Sequence, residues 1–300
     1  MVLVPGGTDT IGSARFYPEE RPVREVVVGD VWFDAHPITN AEFARFVADT
    51  DHVTVPEKEL DAADFPGADP ELLVPGSQVF TQTRGPVHLG DWTQWWRWQP
   101  GAQWRHPDGP GSTWTDVPDH PVVHVGWEDA RVYADWADKD LPTEVEWEHA
   151  ARGGLAGADY AWGDEFTPDG AVLANTWRGP FPWRSDDPHG FHRTSPICSY
   201  PPNGFGLFDM IGNVWEWTST PWTASHEGII PAGTAGAAMA CCGGAMREEP
   251  VVRETDRMVM KGGSHLCSPD YCQRYRPAAR QGHGVRDTTS HLGFRCVVRS

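Results

Sequence analysis

The sequence is poor in positive charge and in long apolar runs. Its 300 residues include 24 Lys and Arg against 42 Asp and Glu, so the formal net charge is −18. Nucleic acids and anionic membrane surfaces are bound by basic faces that replace counterions. No uncharged apolar run approaches the roughly 20 residues that span a bilayer. We therefore expect a soluble protein that binds neither nucleic acid nor membrane.

The sequence also lacks the short motifs of several enzyme classes. It contains no Gly-x-Gly-x-x-Gly after a strand, no phosphate loop ending in Gly-Lys-Ser/Thr, no His-Glu-x-x-His and no Gly-x-Ser-x-Gly. Nucleotide-binding, zincin and serine-hydrolase functions are therefore unsupported. His120 and His124 have a metal-like spacing, and on a strand over residues 120–125 they would share a face. The alternative is that they flank buried valines and form hydrogen bonds.

Export and disulfide signals are scarce as well. The N-terminus has neither the basic nor the long apolar segment of a signal peptide. Six cysteines in a chain of this length without such a signal are typical of a reducing compartment, so we expect a cytoplasmic protein. Four cysteines lack partners at zinc spacing and are expected to be buried, inert thiols: Cys198, Cys241, Cys242 and Cys296.

Glycine, proline and tryptophan are abundant instead, with 32, 27 and 16 residues. So many turn-formers beside so many large aromatics favour an irregular backbone held by buried indoles. Residues 49–119 show no sustained period, and compact domains rarely contain a loop this long. The alternatives are disorder or an ordered excursion around the core, and the density of Trp favours the second.

The pattern predicts three helices. Thr39 and Thr143 each precede a glutamate by three residues, the spacing of a capping box, and the helix that starts at Thr143 should end at Gly153. The second helix has its apolar face at Ala130, Tyr133, Ala134 and Ala137. We further predict strands at residues 2–6, 23–33 and 120–125, no helix after residue 154, a flexible stretch at 230–250, and one domain over 1–300.

Two cysteines carry the clearest chemistry. Cys267 and Cys272 are separated by a Ser-Pro-Asp-Tyr turn that could bring both sulfurs toward one point. Two soft thiolates in a near-linear array suit Cu(I) better than hard cations, whereas tetrahedral zinc requires four protein ligands, or three and a water. By spacing alone, a reducible disulfide or two packed thiols are the alternatives.

Segments along nearly the whole chain match one family. The C-terminal part comprises residues 261–280 and Ser-His-Leu-Gly-Phe-Arg-Cys at 290–296. The other segments are Val-Pro-Gly-Gly at 4–7, Pro-Ile-Thr-Asn-Ala-Glu-Phe at 37–43, His-Pro-Val-Val-His-Val-Gly-Trp at 120–127, Leu-Pro-Thr-Glu-Val-Glu-Trp-Glu at 141–148, Asn-Thr-Trp at 175–177, and Asn-Gly-Phe-Gly-Leu-Phe-Asp-Met-Ile-Gly-Asn-Val-Trp-Glu-Trp at 203–217. Together they resemble the formylglycine-generating enzymes, or sulfatase-modifying factors. Several segments are shared by the wider superfamily, but the paired cysteines belong to the enzyme.

The resemblance implies a fold and a reaction. The fold would be α+β, one formylglycine-generating-type domain related to C-type lectin folds, with few regular elements. The protein would be a copper-dependent oxidase that uses dioxygen to convert the cysteine of a Cys-x-Pro-x-Arg segment in an unfolded sulfatase to Cα-formylglycine. We expect it to act as a monomer.

The same resemblance implies the site residues. Cys267 and Cys272 would bind Cu(I), and the substrate thiolate would join as a third sulfur. Ser264, Tyr271 and His291 match positions that line the family's active site, where they would position the substrate and the oxygen species. Tyr271 could instead be a packed aromatic, and His291 stands where some members have Asn.

The resemblance also implies two structural calcium ions, which would fix loops that lack ladder hydrogen bonds. The first would be bound by the Asn175 side chain and the Thr176 and Phe191 carbonyls, and the second by Asp209, the Gly212 and Val214 carbonyls, and Glu216. His189 stands where many members place an Asp, so Asp186 or Asp187 could reach in instead, or the first site could be weak or empty. Glu216 could be an ordinary surface carboxylate, but its place between two tryptophans favours burial.

Cysteines that form disulfides in secreted members are lost here, which leaves Cys296 a core residue.

Two readings from other classes stay open. A non-catalytic module of the same fold would bind a peptide or glycan through the Trp-rich region 91–104. A sulfoxide synthase of this superfamily would need an added iron-binding, His-rich helical domain, and no His-x-x-x-His-x-Glu motif occurs in this sequence. Retention of Cys267 and Cys272 favours the oxidase.

Overall fold

The computed structural model describes residues 1–62, 67, 73–227, 252–253 and 255–299. Within these ranges the α-helices are α1 (Asn40–Thr50), α2 (Trp127–Trp136) and α3 (Glu144–Arg152). The strands are β1 (Val2–Val4), β2 (Gly7–Ile11), β3 (Arg24–Val28), β4 (Val31–Phe33), β5 (Gly76–Phe80), β6 (Trp96–Pro100), β7 (Trp215–Pro221), β8 (Arg257–Lys261), β9 (Arg280–Gly284), β10 (Leu292–Gly293) and β11 (Val297–Arg299). No helix in the described part is long and apolar enough to cross a membrane.

The strands form four small sheets. A three-stranded antiparallel sheet joins both chain ends in the order β1-β4-β11, and a four-stranded sheet has the order β10-β7-β8-β9. In the second sheet, β10 runs parallel to β7 and the other pairs are antiparallel. Two hairpins, β2-β3 and β5-β6, complete the set. The chain between β8 and β9, residues 262–279, contains both predicted copper-binding cysteines.

The helices begin where the sequence predicts. The Thr39 hydroxyl accepts a hydrogen bond from Glu42 N at 3.2 Å, and the Glu42 carboxylate accepts one from Thr39 N at 2.8 Å. Thr143 and Glu146 form the same reciprocal pair at the start of α3. Because a capping box satisfies backbone donors that have no partner in the helix, both helix starts are confirmed. Gly153 ends α3 in the left-handed conformation at φ 59°, and the described part has no α-helix after it.

Three other expectations require correction. Residues 120–125 do not form a strand, because His124 has a left-handed φ of 61° and only Pro121 forms an isolated bridge, to Thr39. The predicted strand 23–33 is two strands, β3 and β4, with a break at residues 29–30. Cys198 is exposed rather than buried, because it lies on a surface turn with a left-handed φ of 61°.

The excursion over residues 49–119 is ordered wherever the structure describes it. It contributes the β5-β6 hairpin, and its Trp95 and Trp104 side chains are buried. Such indoles remove large apolar surfaces from water, which agrees with the expectation from the density of Trp. The stretch 230–250, with Cys241 and Cys242, lies outside the described residues.

A buried ionic cluster lies between α3 and the four-stranded sheet. Lys261 Nζ is 2.9 Å from Glu148 Oε2, and Arg152 Nη2 is 2.7 Å from Glu148 Oε1. Arg280 binds both oxygens of Glu144, at 2.6 and 3.0 Å. All five side chains are fully buried. Burial alone would raise the pKa of Glu148, but Lys261 and Arg152 lower it to about 2, so the glutamate remains ionised inside the protein.

Candidate active site

The turn between Cys267 and Cys272 brings the two sulfurs together. Their Sγ atoms are 3.4 Å apart, well beyond the roughly 2.05 Å of a disulfide bond, so both are free thiols. Cys272 N donates to Ser268 O at 2.8 Å, which closes the turn. Gly263 is left-handed, at φ 69°, and a Cβ there would lie 2.7 Å from Arg274 O. The segment after Cys272 can therefore pass close to Gly263, because this residue has no side chain.

The two thiols differ in acidity. The hydrogen bond from Cys267 and the nearby Arg274 guanidinium lower the pKa of Cys272 to about 6, although burial opposes this. Burial, followed by the hydrogen bond to Cys272, raises the pKa of Cys267. Within the pair, the thiolate form is therefore favoured on Cys272 rather than on Cys267. A thiolate is the form of cysteine that binds metals, and this donor set fits a soft monovalent ion such as Cu(I).

Ser264 connects the thiols to His291. Its backbone N donates to Cys267 Sγ at 3.4 Å, and its Oγ lies 3.1 Å from His291 Nδ1. Leu266 N donates to the same hydroxyl oxygen at 3.2 Å. Burial, with a contribution from His265, holds the pKa of His291 well below its ordinary value, so its ring is neutral. The Ser264 hydroxyl can therefore donate to His291 Nδ1, which leaves the proton of the ring on Nε2.

Tyr271 is packed on one side and open on the other. Its ring stacks on Phe181 with centroids 4.7 Å apart and meets Trp95 edge-on at 5.3 Å. The residue nevertheless remains 40 % exposed and faces the cleft that contains the cysteines. Burial, and then the neighbouring thiols, raise the pKa of its hydroxyl. Tyr271 is therefore a packed aromatic that also lines the cleft, and its hydroxyl stays protonated.

All five residues predicted from the resemblance to bind copper or line the site border one cleft of about 450 Å³. These are Ser264, Cys267, Tyr271, Cys272 and His291. Sequence reasoning missed other lining residues, namely Gln78, Trp95, Trp96, Phe181, Arg274 and Gln281. The tryptophan run at 92–98 and the position of Arg274, two residues after Cys272, were the available signals.

The residues of the first predicted calcium site come from two segments, one around Asn175 and one around Phe191. Asn175 is buried and its Nδ2 donates to Arg193 O at 2.9 Å, whereas the buried Thr176 Oγ1 has no hydrogen-bond partner. Asp187 accepts from Phe191 N at 2.7 Å. Asp186 instead pairs with Arg184, so Asp187 is the carboxylate beside Phe191. His189 packs edge-on against Tyr200.

The carboxylates of the second predicted calcium site are both buried. Glu216 accepts from Arg295 on both oxygens at 2.7 Å, and from Trp147 Nε1 at 2.7 Å. It is therefore not a surface carboxylate, and a calcium ion bound here would share it with Arg295. Asp209 accepts from Cys198 N at 3.0 Å, and burial raises its pKa to about 6.

Both histidines with metal-like spacing form hydrogen bonds in the structure. His120 Nδ1 lies 2.9 Å from Thr194 Oγ1, and His124 lies 2.7 Å from Ser77 Oγ and 2.8 Å from Pro107 O. The hydrogen-bonding alternative is thus confirmed for both. Across the described ranges, no three His, Cys, Asp or Glu side chains converge in a way that could hold a metal. The predicted copper site depends instead on two thiols, and the predicted calcium sites depend on carbonyl and amide oxygens and on the carboxylates of Asp209 and Glu216.

Comparisons with known proteins agree with this geometry. A family profile, the sulfatase-modifying factor enzyme 1-like domain, matches residues 1–300. The chain is 52 % identical to the formylglycine-generating enzyme of Mycobacterium tuberculosis, over 99 % of this chain and 97 % of the relative. It is 42 % identical to the enzyme of the same name from Streptomyces coelicolor, over 99 % and 88 %. Among solved structures it is similar to PvdO from Pseudomonas aeruginosa, at a TM-score of 0.63 and 22 % identity, over 98 % and 92 %. That likeness concerns the fold, and the predicted fold class is confirmed.

Proposed function

The chain belongs to the formylglycine-generating enzyme family, and we propose that it is an oxidoreductase that uses copper and dioxygen to convert a sulfatase cysteine to Cα-formylglycine. The observation that carries this proposal is the pair of free thiols, Cys267 and Cys272, 3.4 Å apart at a cleft of about 450 Å³. A buried thiol pair with no access would be inert. This pair instead borders open space large enough for a peptide side chain.

In this proposal, some residues of the cleft bind the metal and others accept or donate protons. When bound between Cys267 and Cys272, Cu(I) would supply a soft centre that accepts the substrate sulfur and activates dioxygen. Both sulfurs would bind the metal as thiolates, and the lowered pKa of Cys272 makes the loss of its proton less costly. The Ser264 hydroxyl and the neutral His291 ring form a hydrogen-bonded pair that can accept or return a proton at the cleft. The aromatic rings of Trp95 and Phe181 exclude water from one side.

The proposed partner is an unfolded sulfatase segment with the sequence Cys-x-Pro-x-Arg, bound by a monomer. An extended segment is needed because the reacting cysteine must reach sulfurs that lie at the base of a side-chain-sized cleft. We also place the reaction in the cytoplasm. In support, the four cysteines that the structure describes are all free thiols, as expected in a reducing compartment.

We expect turnover of a short peptide. The Cu(I)-loaded protein, incubated under air with a reductant and a peptide containing Leu-Cys-Thr-Pro-Ser-Arg, should yield a product lighter by about 18 Da, the change from thiol to aldehyde. A peptide with Ser in place of the reacting Cys is the matched control and should keep its mass. Mass spectrometry reads both. Copper binding without product would indicate another thiol substrate, and no copper binding would favour the non-catalytic binding module.

We also expect calcium to stabilise the protein. Asp209 and Glu216 are buried, and the orphaned Thr176 hydroxyl lies in the loop of the other site, which supports the two predicted sites. A ligand that binds only the folded state adds about 2.7 kcal/mol at 100 times its Kd. EGTA should therefore lower the melting temperature, and EGTA saturated with calcium should not. Identical melting curves in the two solutions would contradict the calcium sites.

A further inference from the structure

The loop between β2 and β3 contacts the chain that follows Cys272. The Glu19 carboxylate accepts from Arg274 Nη2 at 2.6 Å. The Arg274 guanidinium lies over the Tyr17 ring, 3.8 Å from its centroid, and the Tyr17 hydroxyl accepts from Gln273 N at 3.1 Å. Arg274 and Glu19 are only about one-fifth exposed. Glu19 and Tyr17, some 255 positions away in sequence, therefore hold the Arg274 guanidinium, Glu19 at its edge and Tyr17 at its face.

The held guanidinium points at the thiol pair. Its Nη1 donates toward Cys272 Sγ at 3.9 Å, and Arg274 also lines the cleft. We propose that Arg274 is a positioning residue for the copper-binding pair, that it holds the Cys272 sulfur and balances its charge, and that Glu19 and Tyr17 aim it. This inference rests on the proposed copper function and extends it to residues outside the cysteine turn.

Charge balance explains why a fixed cation is needed at this place. Two thiolates with one monovalent ion carry a net charge of −1, and a third sulfur would make it −2. The aromatic side chains around the cleft offer little to compensate that charge, and a charge in such surroundings is costly without a partner. Groups that orient and compensate metal ligands typically change the metal affinity by 10–100-fold when they are removed.

A variant of Glu19 can distinguish whether this residue acts by orienting Arg274 or only through its own charge. Glu19 is an anion near an anionic metal site, so its neutralisation by charge alone should strengthen copper binding. If Glu19 instead serves to aim Arg274, its neutralisation should weaken copper binding, because the guanidinium loses its strongest partner. The variant E19Q therefore has opposite expected signs under the two explanations.

The test is a Cu(I) titration without oxygen, in competition with the chromophoric chelator bicinchoninic acid. We expect R274Q to raise the Cu(I) Kd by roughly 10–100-fold, R274K to recover part of the loss, and E19Q to raise the Kd by a smaller factor. R131Q is the matched control, because Arg131 on α2 is about as exposed as Arg274 and pairs with Asp135 and Asp140 but does not line the cleft; it should bind copper like the wild type. Thermal melts identify any variant that has lost its fold. If R274Q is one of these, the Kd of R274K is compared with that of the wild type instead.

Two results overturn the proposal. These are an R274Q Kd within twofold of the wild type, or an E19Q variant that binds copper as tightly as the wild type or more tightly. Both leave the copper function standing, because the wild type still binds. A wild type that does not bind Cu(I) at the cysteine pair would instead remove the copper function itself, and the role of Arg274 with it.

Discussion

Replacing Cys272 with serine is expected to abolish formylglycine formation and to leave the fold intact. The serine oxygen stays protonated at neutral pH and is a hard donor, so it cannot replace a thiolate as a ligand of Cu(I). The turn itself does not need the sulfur, because Cys272 N still donates to Ser268 O. Peptide turnover read by mass spectrometry should fall below detection, and the melting temperature should stay close to that of the wild type.

Cys296 offers a matched control with the reverse pattern. It is a fully buried thiol that packs among core side chains and does not line the cleft. A serine there would place a hydroxyl in apolar surroundings, at a cost of about 1–3 kcal/mol, while the Cys267–Cys272 pair stays intact. We expect C296S to melt earlier and to keep its turnover at low temperature.

The two cysteine variants together distinguish chemistry from architecture. If C272S lost its fold, the pair at 267 and 272 would be structural. If C272S kept its turnover, the copper-thiolate proposal would be wrong. Only the combination of a stable, inactive C272S and a less stable, active C296S agrees with the structure.

Local features of this fold could be predicted from the sequence because their determinants are close together. The capping boxes at Thr39 and Thr143 need residues only three apart, and the turn that joins the thiols spans five. The strand predicted at 120–125 was wrong, because a short apolar pattern does not by itself fix the backbone conformation. Its valines are β-branched residues typical of strands, but they are buried along an irregular segment in which His124 has a left-handed φ.

Long-range contacts left no comparable signal. Nothing near Arg274 in the sequence indicates that Glu19 and Tyr17 lie against it, because the loop that carries them is held there by long-range contacts such as the 3.2 Å hydrogen bond from Arg280 Nη1 to Glu19 O. The aromatic side of the cleft is similar, since Trp95 and Phe181 come from separate irregular segments and meet edge-on at 5.4 Å. The cysteine pair could be predicted from residues alone, but the side chains that control its charge and access could not.

The buried ionic cluster should dominate stability, and E148Q tests it. Glutamine keeps the shape of Glu148 but removes the charge that faces Lys261 and Arg152, both fully buried. In E148Q, Arg152 loses its carboxylate and Lys261 keeps the more distant Glu144, at 3.6 Å; breaking a buried pair in this way typically costs about 3–5 kcal/mol. The matched control is E128Q, because Glu128 forms an exposed pair with Lys58 at 3.4 Å, and such pairs are worth about 0–1 kcal/mol. Urea unfolding gives both free energies.

A double variant shows that the loss in E148Q comes from unpaired charge rather than from packing. K261M removes the cation that loses its shorter ion pair in E148Q, so E148Q/K261M should be less destabilised than the two single losses combined. The pH dependence should agree, because the folded pKa of Glu148, about 2, lies below its ordinary value of 4.5. Its stabilising contribution is thus complete above pH 4.5 and is lost as the pH falls toward 2. E148Q should lack this part of the acid transition, and an E148Q protein within about 1 kcal/mol of the wild type would contradict the assignment.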